Sequence, residues 1–303
     1  MSRSAGSRAN RRGEPPPSPE PLPAPALDSH THLDIVLGER PADDDHGEWA
    51  TDEAVDAEIA AAAAVGVPRL VQVGVDVPSS RWSAALAARH PGVLAAVALH
   101  PNEAGAGKAD GQALDAALAE IDRLAALPRV RAVGETGLDR YRTGSEGWAA
   151  QEASFRAHIR IAKARGVALV IHDRDAHEEI LRVLEDEGAP EHTVFHCFSG
   201  DVAFAKACVE RGFVLSFAGT LTFGNAGYLR EAAALSPVDQ LLVETDAPFL
   251  TPMPHRGRPN ASRLVPHTVR ALSEVTGVQL TELCAGLTAT AERVFGPWDT
   301  GSG

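Results

Sequence analysis

The chain has 303 residues, 44% of them apolar, and a formal net charge of −13. That length and apolar content fit one large catalytic domain with a sizeable core, and the acidity argues against a broad nucleic-acid-binding surface. It does not exclude a local phosphate site, because divalent cations and nearby arginines reverse the potential inside a cleft.

Residues 1–26 carry SPEPLPAPA and scattered Ser and Arg without a helical or strand period, and are expected to form a flexible extension outside the core. The prolines and the missing apolar segment argue against a secretory signal. No stretch is long and apolar enough to cross a bilayer. Cys197, Cys208 and Cys284 form no close-spaced motif, and their odd number fits a reducing cytoplasm better than a disulfide framework.

From Ala26 onward, short β-rich runs alternate with longer Ala-, Glu-, Arg- and Leu-containing segments. The runs near 26–30, 69–75, 93–99, 130–135, 167–172, 192–197, 213–218 and 241–246 predict eight strands. Segments such as 52–66, 111–126, 147–165, 175–188 and 226–235 predict outer helices, and 263–276 with 280–294 cover the last strand. The order is that of an α/β fold, a TIM-like (β/α)8 barrel over residues 27–296, with 297–303 a short flexible tail.

Six candidate metal ligands fall at or just beyond the carboxyl ends of these runs: His30 and His32 in DSHTHLD, Glu135 in VGETGLD, His172 in VIHDRD, His196 in FHCFSG and Asp246 in VETDAPFL. In a barrel those ends form one catalytic face, so residues distant in sequence meet there. His30 and His32, two residues apart in an extended segment, point to one side as a clamp, with Thr31 pointing away. Carboxylates and neutral imidazoles suit Mg²⁺, Mn²⁺ or Zn²⁺, whereas so many histidines make an all-protein calcium cage unsuitable.

Other residues have two readings each. His100, after the third run in LHPNEA, contacts a phosphate or is a hydrogen-bonded loop histidine. Arg174 reaches phosphate oxygens or pairs with Asp173 or Asp175. Arg140 and Arg142 add positive potential above Glu135 or are solvated loop charges. Gly134 and Gly137 give a GETGLD loop room to turn, Cys197 is read as a buried thiol facing away in preference to a ligand, and Phe198 and Phe249 shape a pocket or, as the simpler assignment, complete the core.

DSHTHLD, LHPNEA, GETGLDRYR, IHDRDA, HCFSG, ETDAPFL and RGRPN together closely resemble the TatD family of metal-dependent hydrolases, from Asp28 to about Phe295. The resemblance implies a TIM-like barrel that hydrolyses DNA phosphodiester bonds, often as a 3′–5′ exonuclease, with single-stranded DNA bearing a free 3′ end as the expected partner. It implies two divalent ions: His30 and His32 on one, His172 and His196 on the other, and Glu135 bridging them. Asp246 matches the family's catalytic carboxylate and metal ligand, with base and ligand roles not separable from sequence. No obligate protein partner is implied. Hydrolysis of a small cyclic amide, ester or phosphate ester by the same centre is the alternative, and a noncatalytic binding or scaffold role a third reading. Two departures bear on substrate access: Arg256–Ser262 reads RGRPNAS, without the family's terminal Glu-Pro pair, and DDDHGE adds charge at 43–48.

Overall fold

All eight apolar runs are strands, and all are parallel. In the computed structural model, which describes residues 13–38, 51–105 and 111–298, they are β1 (Leu27–Thr31), β2 (Arg69–Val73), β3 (Val93–Val97), β4 (Val130–Asp139), β5 (Ala168–Arg174), β6 (Thr193–Phe195), β7 (Val214–Phe217) and β8 (Leu241–Val243). They pair in sequence order as one sheet. Helices follow the strands: α1 (Leu33–Leu37), α2 (Asp52–Ala64), α3 (Val77–Arg89), α4 (Pro101–Gly105), α5 (Gly111–Ala125), α6 (Trp148–Arg165), α7 (His177–Glu187), α8 (Val202–Glu210), α9 (Gly227–Leu235), α10 (Val265–Thr276) and α11 (Leu280–Phe295). The α3 and α8 helices add to those expected from sequence, as do the short α1 and α4. The α3 helix opens Val-Pro-Ser-Ser, which masks it as a turn, yet Asp76 and Ser79 cap it reciprocally.

The ends of the sheet meet through backbone just beyond β8: the Asp246 N–H donates to the His30 carbonyl at 2.9 Å and the His32 N–H to the Ala247 carbonyl at 3.0 Å. This nearly closed barrel has a partly polar interior. Ser29 on β1 and Ser216 on β7 hydrogen-bond at 2.9 Å although β8 lies between them in the sheet. Strands two apart are about 9–10 Å from each other, so side chains meet only on the concave side. The seam that completes the sheet also brings Asp246 to the histidine pair.

The strand β4 extends to Asp139, four residues past its expected end, and remains paired with β5 as far as Arg174. The GETGLD segment is therefore a strand, not a loop, and its glycines serve close approach. A Cβ on Gly137, at φ +142°, would lie 2.1 Å from the His172 carbonyl oxygen. The helix α6 holds this extension in place. It buries Gln151, Ser154, Phe155, His158, Ile159 and Ala162, one stripe at helical spacing. Phe155 and Ile159 are fully buried in the core, each worth about 2–3 kcal/mol. The polar members reach the backbone: Gln151 accepts from the Asp139 N–H at 3.0 Å and donates to its carbonyl at 3.2 Å.

The expected N-terminal extension divides. Residues 1–12, like the acidic stretch at 43–48 and the tail 299–303, lie outside the described residues. Leu22 and Ala26, however, are buried in the core, with their N–H groups bonded to the Val65 and Gly66 carbonyls at 3.0 and 2.9 Å. Arg270 donates to the Glu20 and Pro21 carbonyls. Lack of periodicity marked this segment as irregular but did not show that its few apolar side chains have a place to go.

His158 offers a test of this packing. Its Nε2 accepts the Leu99 N–H at 3.2 Å, and its Nδ1 faces Thr136 Oγ1 at 2.9 Å, so the ring is neutral with the proton on Nδ1. Burial lowers its pKa to about 4, below the ordinary value of about 6.5. The folded protein thus binds fewer protons than the unfolded chain. This stabilisation is fully present above about pH 6.5 and is lost as pH falls toward 4, amounting to about 3 kcal/mol in all. His158→Gln removes the titration, so the difference in unfolding free energy between wild type and H158Q is expected to shrink from pH 7.5 to pH 4.5. A difference constant across that range in denaturant titrations contradicts this account.

Candidate metal centre

All six expected ligand residues meet at the carboxyl end of the barrel, around Glu135. Its Oε1 lies 3.5 Å from His30 Nε2 and 3.4 Å from His32 Nε2. On the same side Asp246 Oδ1 is 4.0 and 3.6 Å from those nitrogens, which are 3.3 Å from each other. The other oxygen, Oε2, lies 3.0 Å from His172 Nδ1 and 2.9 Å from His196 Nε2. One carboxylate therefore faces two separate groups.

The tautomers follow from outer contacts. His32 Nδ1 donates to the Val73 carbonyl at 3.0 Å, which leaves the Nε2 lone pair facing the carboxylates. His196 Nδ1 faces Glu244 Oε1 at 3.2 Å, which leaves its Nε2 toward Glu135. Lone pairs this close repel unless a proton or a cation lies between them. Burial pushes the His32 imidazole down, but hydrogen bonds to Asp246 and Glu135 outweigh it and hold the ring well above its ordinary pKa. Burial likewise opposes protonation of His196, and Glu135 and Glu244 together reverse it. For Glu135, burial is outweighed by the imidazoles, His196 foremost, and its pKa stays well below the usual carboxylate range. With protons alone, the centre balances its carboxylates by charging histidines. A divalent cation does the same with the rings neutral.

The geometry fits that substitution. Four ligands at about 2.1 Å from a tetrahedral ion stand roughly 3.4 Å apart, and the His30 and His32 nitrogens stand 3.3 to 4.0 Å from each other and from the Glu135 and Asp246 oxygens. Among the described residues, three sets of side chains bring potential ligand atoms within 4.8 Å of one another: His30, His32 and Asp246; His100, Glu135 and His172; and His30, His196 and Glu244. The buried Nδ1 of His30 has no hydrogen-bond partner, and its ring stacks on that of His196 at 3.9 Å.

His100 differs from the others. Its Nδ1 accepts the Asn102 N–H at 3.0 Å, so the proton sits on Nε2, which lies 3.6 Å from Glu135 Oε2. Burial takes its pKa down to about 3. It presents a neutral N–H donor to the centre rather than a lone pair.

Three carboxylates escaped sequence reading. Glu244 orients His196 and accepts the Cys197 N–H at 2.9 Å. Asp139 faces His172 Nε2 at 3.3 Å and accepts the Tyr141 and Arg142 N–H groups. Asp28 accepts from the Thr245 N–H at 2.9 Å and its hydroxyl at 2.5 Å, binding the start of β1 to the segment that carries Asp246. Burial pushes the Asp28 carboxyl up to about 7 against these hydrogen bonds. Each is two or four residues from a ligand candidate in its own segment, the one signal available. Such outer partners fix ring orientation in metal centres.

Arg174 pairs with neither Asp173 nor Asp175. Its guanidinium carbon lies over the Tyr141 ring, 4.2 Å from the centroid. Arg140 is a structural side chain, bonded to Glu179 at 2.7 and 3.0 Å and stacked on Trp148, while Arg142 is exposed. Cys197 is half-buried at φ +42°. Phe198 lies in the core, but Phe249, expected there too, is 40% exposed with its ring 6.5 Å from that of His32. The Asp246 turn, at φ +51°, carries it out of the wall.

Residues 27–296 match the family described as TatD related DNase. The chain is 46% identical over 274 residues to an uncharacterized metal-dependent hydrolase TatD of Mycobacterium tuberculosis, covering 89% of this chain and 97% of the relative. It is 34% identical over 249 residues to the 3′-5′ ssDNA/RNA exonuclease TatD of Citrobacter rodentium, covering 80% and 91%. The crystal structure of YJJV, a TatD homolog from Escherichia coli, superposes with a TM-score of 0.77 at 25% identity, covering 89% of this chain and 97% of that one. No helix among the described residues is long and apolar enough to cross a membrane. With its barrel and its convergent ligand clusters, this chain is an enzyme and belongs to the TatD family of metal-dependent hydrolases.

Proposed function

We propose that the enzyme hydrolyses phosphodiester bonds in single-stranded DNA from a free 3′ end. The observation that carries this reading is Glu135, whose two oxygens address two ligand groups, the arrangement suited to a pair of divalent ions. His30, His32 and Asp246 would hold one, and His172 and His196 the other, with Glu135 placed between them. Mg²⁺ or Mn²⁺ is the activating ion in this reading, and the imidazoles also accommodate Zn²⁺. When bound, such ions supply Lewis acidity and make a water acidic enough to attack phosphorus. The name of the Citrobacter relative supports the 3′–5′ direction and the single strand. The unpaired state of all three cysteines is in keeping with a cytoplasmic setting.

The chain's own residues divide the remaining work. Asp246 orients the attacking water and takes its proton; its carboxylate is 15% exposed beside His32, buried enough to be directed and open enough to meet solvent. His100 donates its Nε2–H to a phosphate oxygen. Being neutral, it stabilises charge without competing for a cation. Arg174 approaches the same phosphate or its neighbour from the rim, supported on Tyr141.

His30→Ala is expected to lower bound metal and turnover together, measured by elemental analysis and kinetics. Unchanged metal content and activity reject the ligand assignment. Asp246→Asn retains the left-handed backbone, which Asn tolerates as well as Asp, and removes the base. Turnover is expected to fall about 10²- to 10⁴-fold with the protein still folded by circular dichroism, whereas near wild-type turnover eliminates Asp246 as the base.

Direction and substrate are read together with 3′-blocked, 5′-blocked and circular single strands in Mg²⁺ or Mn²⁺, with EDTA controls. Mononucleotides from free and 5′-blocked strands, and none from the circle, are expected. Equal cleavage of the circle excludes end-directed attack, and turnover of small esters without cleavage of any strand moves the substrate class away from nucleic acid.

A further inference from the structure

Two arginines on the catalytic face stack on aromatic rings instead of pairing with carboxylates. Arg174, at the end of β5, lies over Tyr141, two residues beyond β4, at 4.2 Å. Arg256, in the loop after β8, lies over Phe223, in the loop after β7, also at 4.2 Å. Both arginines are exposed, and Tyr141 is 67% exposed, so its outer face is open. Among the described residues neither guanidinium meets a carboxylate, and the same holds for Arg142 and Arg258 in these loops. On the outer helices the pattern reverses: Arg81 and Arg123 are bonded to Glu120, and Arg156 and Arg160 to Glu187. Among the described residues, arginines without a carboxylate partner thus gather at the mouth of the centre in a protein of net charge −13.

The stacks are held in place. Asp139 Oδ1 accepts the Tyr141 and Arg142 N–H groups at 2.9 and 2.7 Å while Oδ2 faces His172. Arg230 binds the Leu221 and Phe223 carbonyls at 3.0 and 2.8 Å, and Thr222 accepts the Met253 N–H at 2.8 Å, joining the loops after β7 and β8. A guanidinium flat on a ring leaves its outer face for another planar group and its edge N–H groups for phosphate.

We infer that Tyr141–Arg174 and Phe223–Arg256 are two base-stacking platforms that bind the part of a single strand lying outside the metal pocket. The inference rests on the proposed action on single-stranded nucleic acid and adds where the strand is held. The first platform offers an open aromatic face on Tyr141, whereas Phe223 is half-buried against the core and supports Arg256, whose outer face is the stacking surface there; both add a positive charge for the backbone. Duplex bases, stacked on their neighbours, have no face to offer, so the platforms select unpaired strands.

The test measures binding by the Mg²⁺-loaded protein of a fluorescent eight-nucleotide thymidine strand with phosphorothioate linkages, beside an abasic strand of equal length. Wild type is expected to prefer the base-bearing strand about tenfold. Tyr141→Ala and Phe223→Leu each narrow that preference, and Tyr141→Phe, which keeps the ring, restores it. Arg256→Ala lowers the slope of log affinity against log salt by about 0.7, one phosphate contact on a single strand. Wild-type base preference and salt slope in all variants overturn the platforms. Metal-dependent cleavage of an unmodified strand is measured in parallel. Cleavage by wild type with the platforms overturned leaves the proposed function intact, whereas neither binding nor cleavage by wild type overturns both.

Discussion

The rest of the structure depends on one buried carboxylate set among imidazoles. An ionised carboxyl removed from water costs several kcal/mol unless charge or hydrogen bonds are returned to it. Around Glu135 that return comes from β1, β5, β6 and the loop after β3, so the strand that carries it has to be held against all of them at once. The backbone geometry of β4 follows from this. It runs on to Asp139 beside β5, with Gly137 where a Cβ would strike the His172 carbonyl, and Gln151 and His158 on α6 hold its far end by hydrogen bonds rather than by apolar contact. A purely apolar helix face would bury the same area but leave the register of that extension unfixed.

The eight strands were legible because parallel strands covered on both faces read as continuous apolar runs, and the ligand candidates because a barrel puts its strand ends on one face. What was not legible is what depends on contacts between strands. Nothing in GETGLD separates a loop from a strand with glycines for close approach; the neighbouring carbonyl decides. Glu244 stands two residues before Asp246 and reads as one more acid until His196 turns its Nδ1 toward it. Arg174, expected to meet a phosphate or an aspartate, has a third partner in Tyr141, 33 positions away across two adjacent strand ends, which no local pattern announces. Phe249 passed for core because its type is usually buried, but the left-handed turn at Asp246 sends the chain outward there.

The ligand rings also show why the centre and its carboxylate partners form one unit. Asp139, Glu244 and the Val73 carbonyl each engage the nitrogen that points away from Glu135 on His172, His196 and His32. A ring fixed from behind presents its other nitrogen without rotational search, which lowers the entropic cost of gathering ligands around an ion. Asp139 has a second duty, because its other oxygen holds the turn that carries Tyr141. The catalytic centre and the rim are thus joined through one side chain.

With the proposed nucleic-acid substrate, net charge and substrate charge have the same sign, and distance resolves the conflict. At physiological ionic strength exposed charges are screened beyond about 8 Å, so the acids spread over the outer helices, many already paired with arginine, contribute little at the mouth. The potential a bound strand would meet is set by what stands within that range: the ligand centre with any ions it holds, and the rim arginines, which have no carboxylate partner among the described residues. Pairing those arginines with acids would erase the local field, and burying them would cost solvation. Laying them on aromatic rings does neither, since a ring face attracts the cation without neutralising it. In the proposed function an acidic exterior serves a further purpose, because it disfavours nucleic acid away from the face that carries the metal ligands.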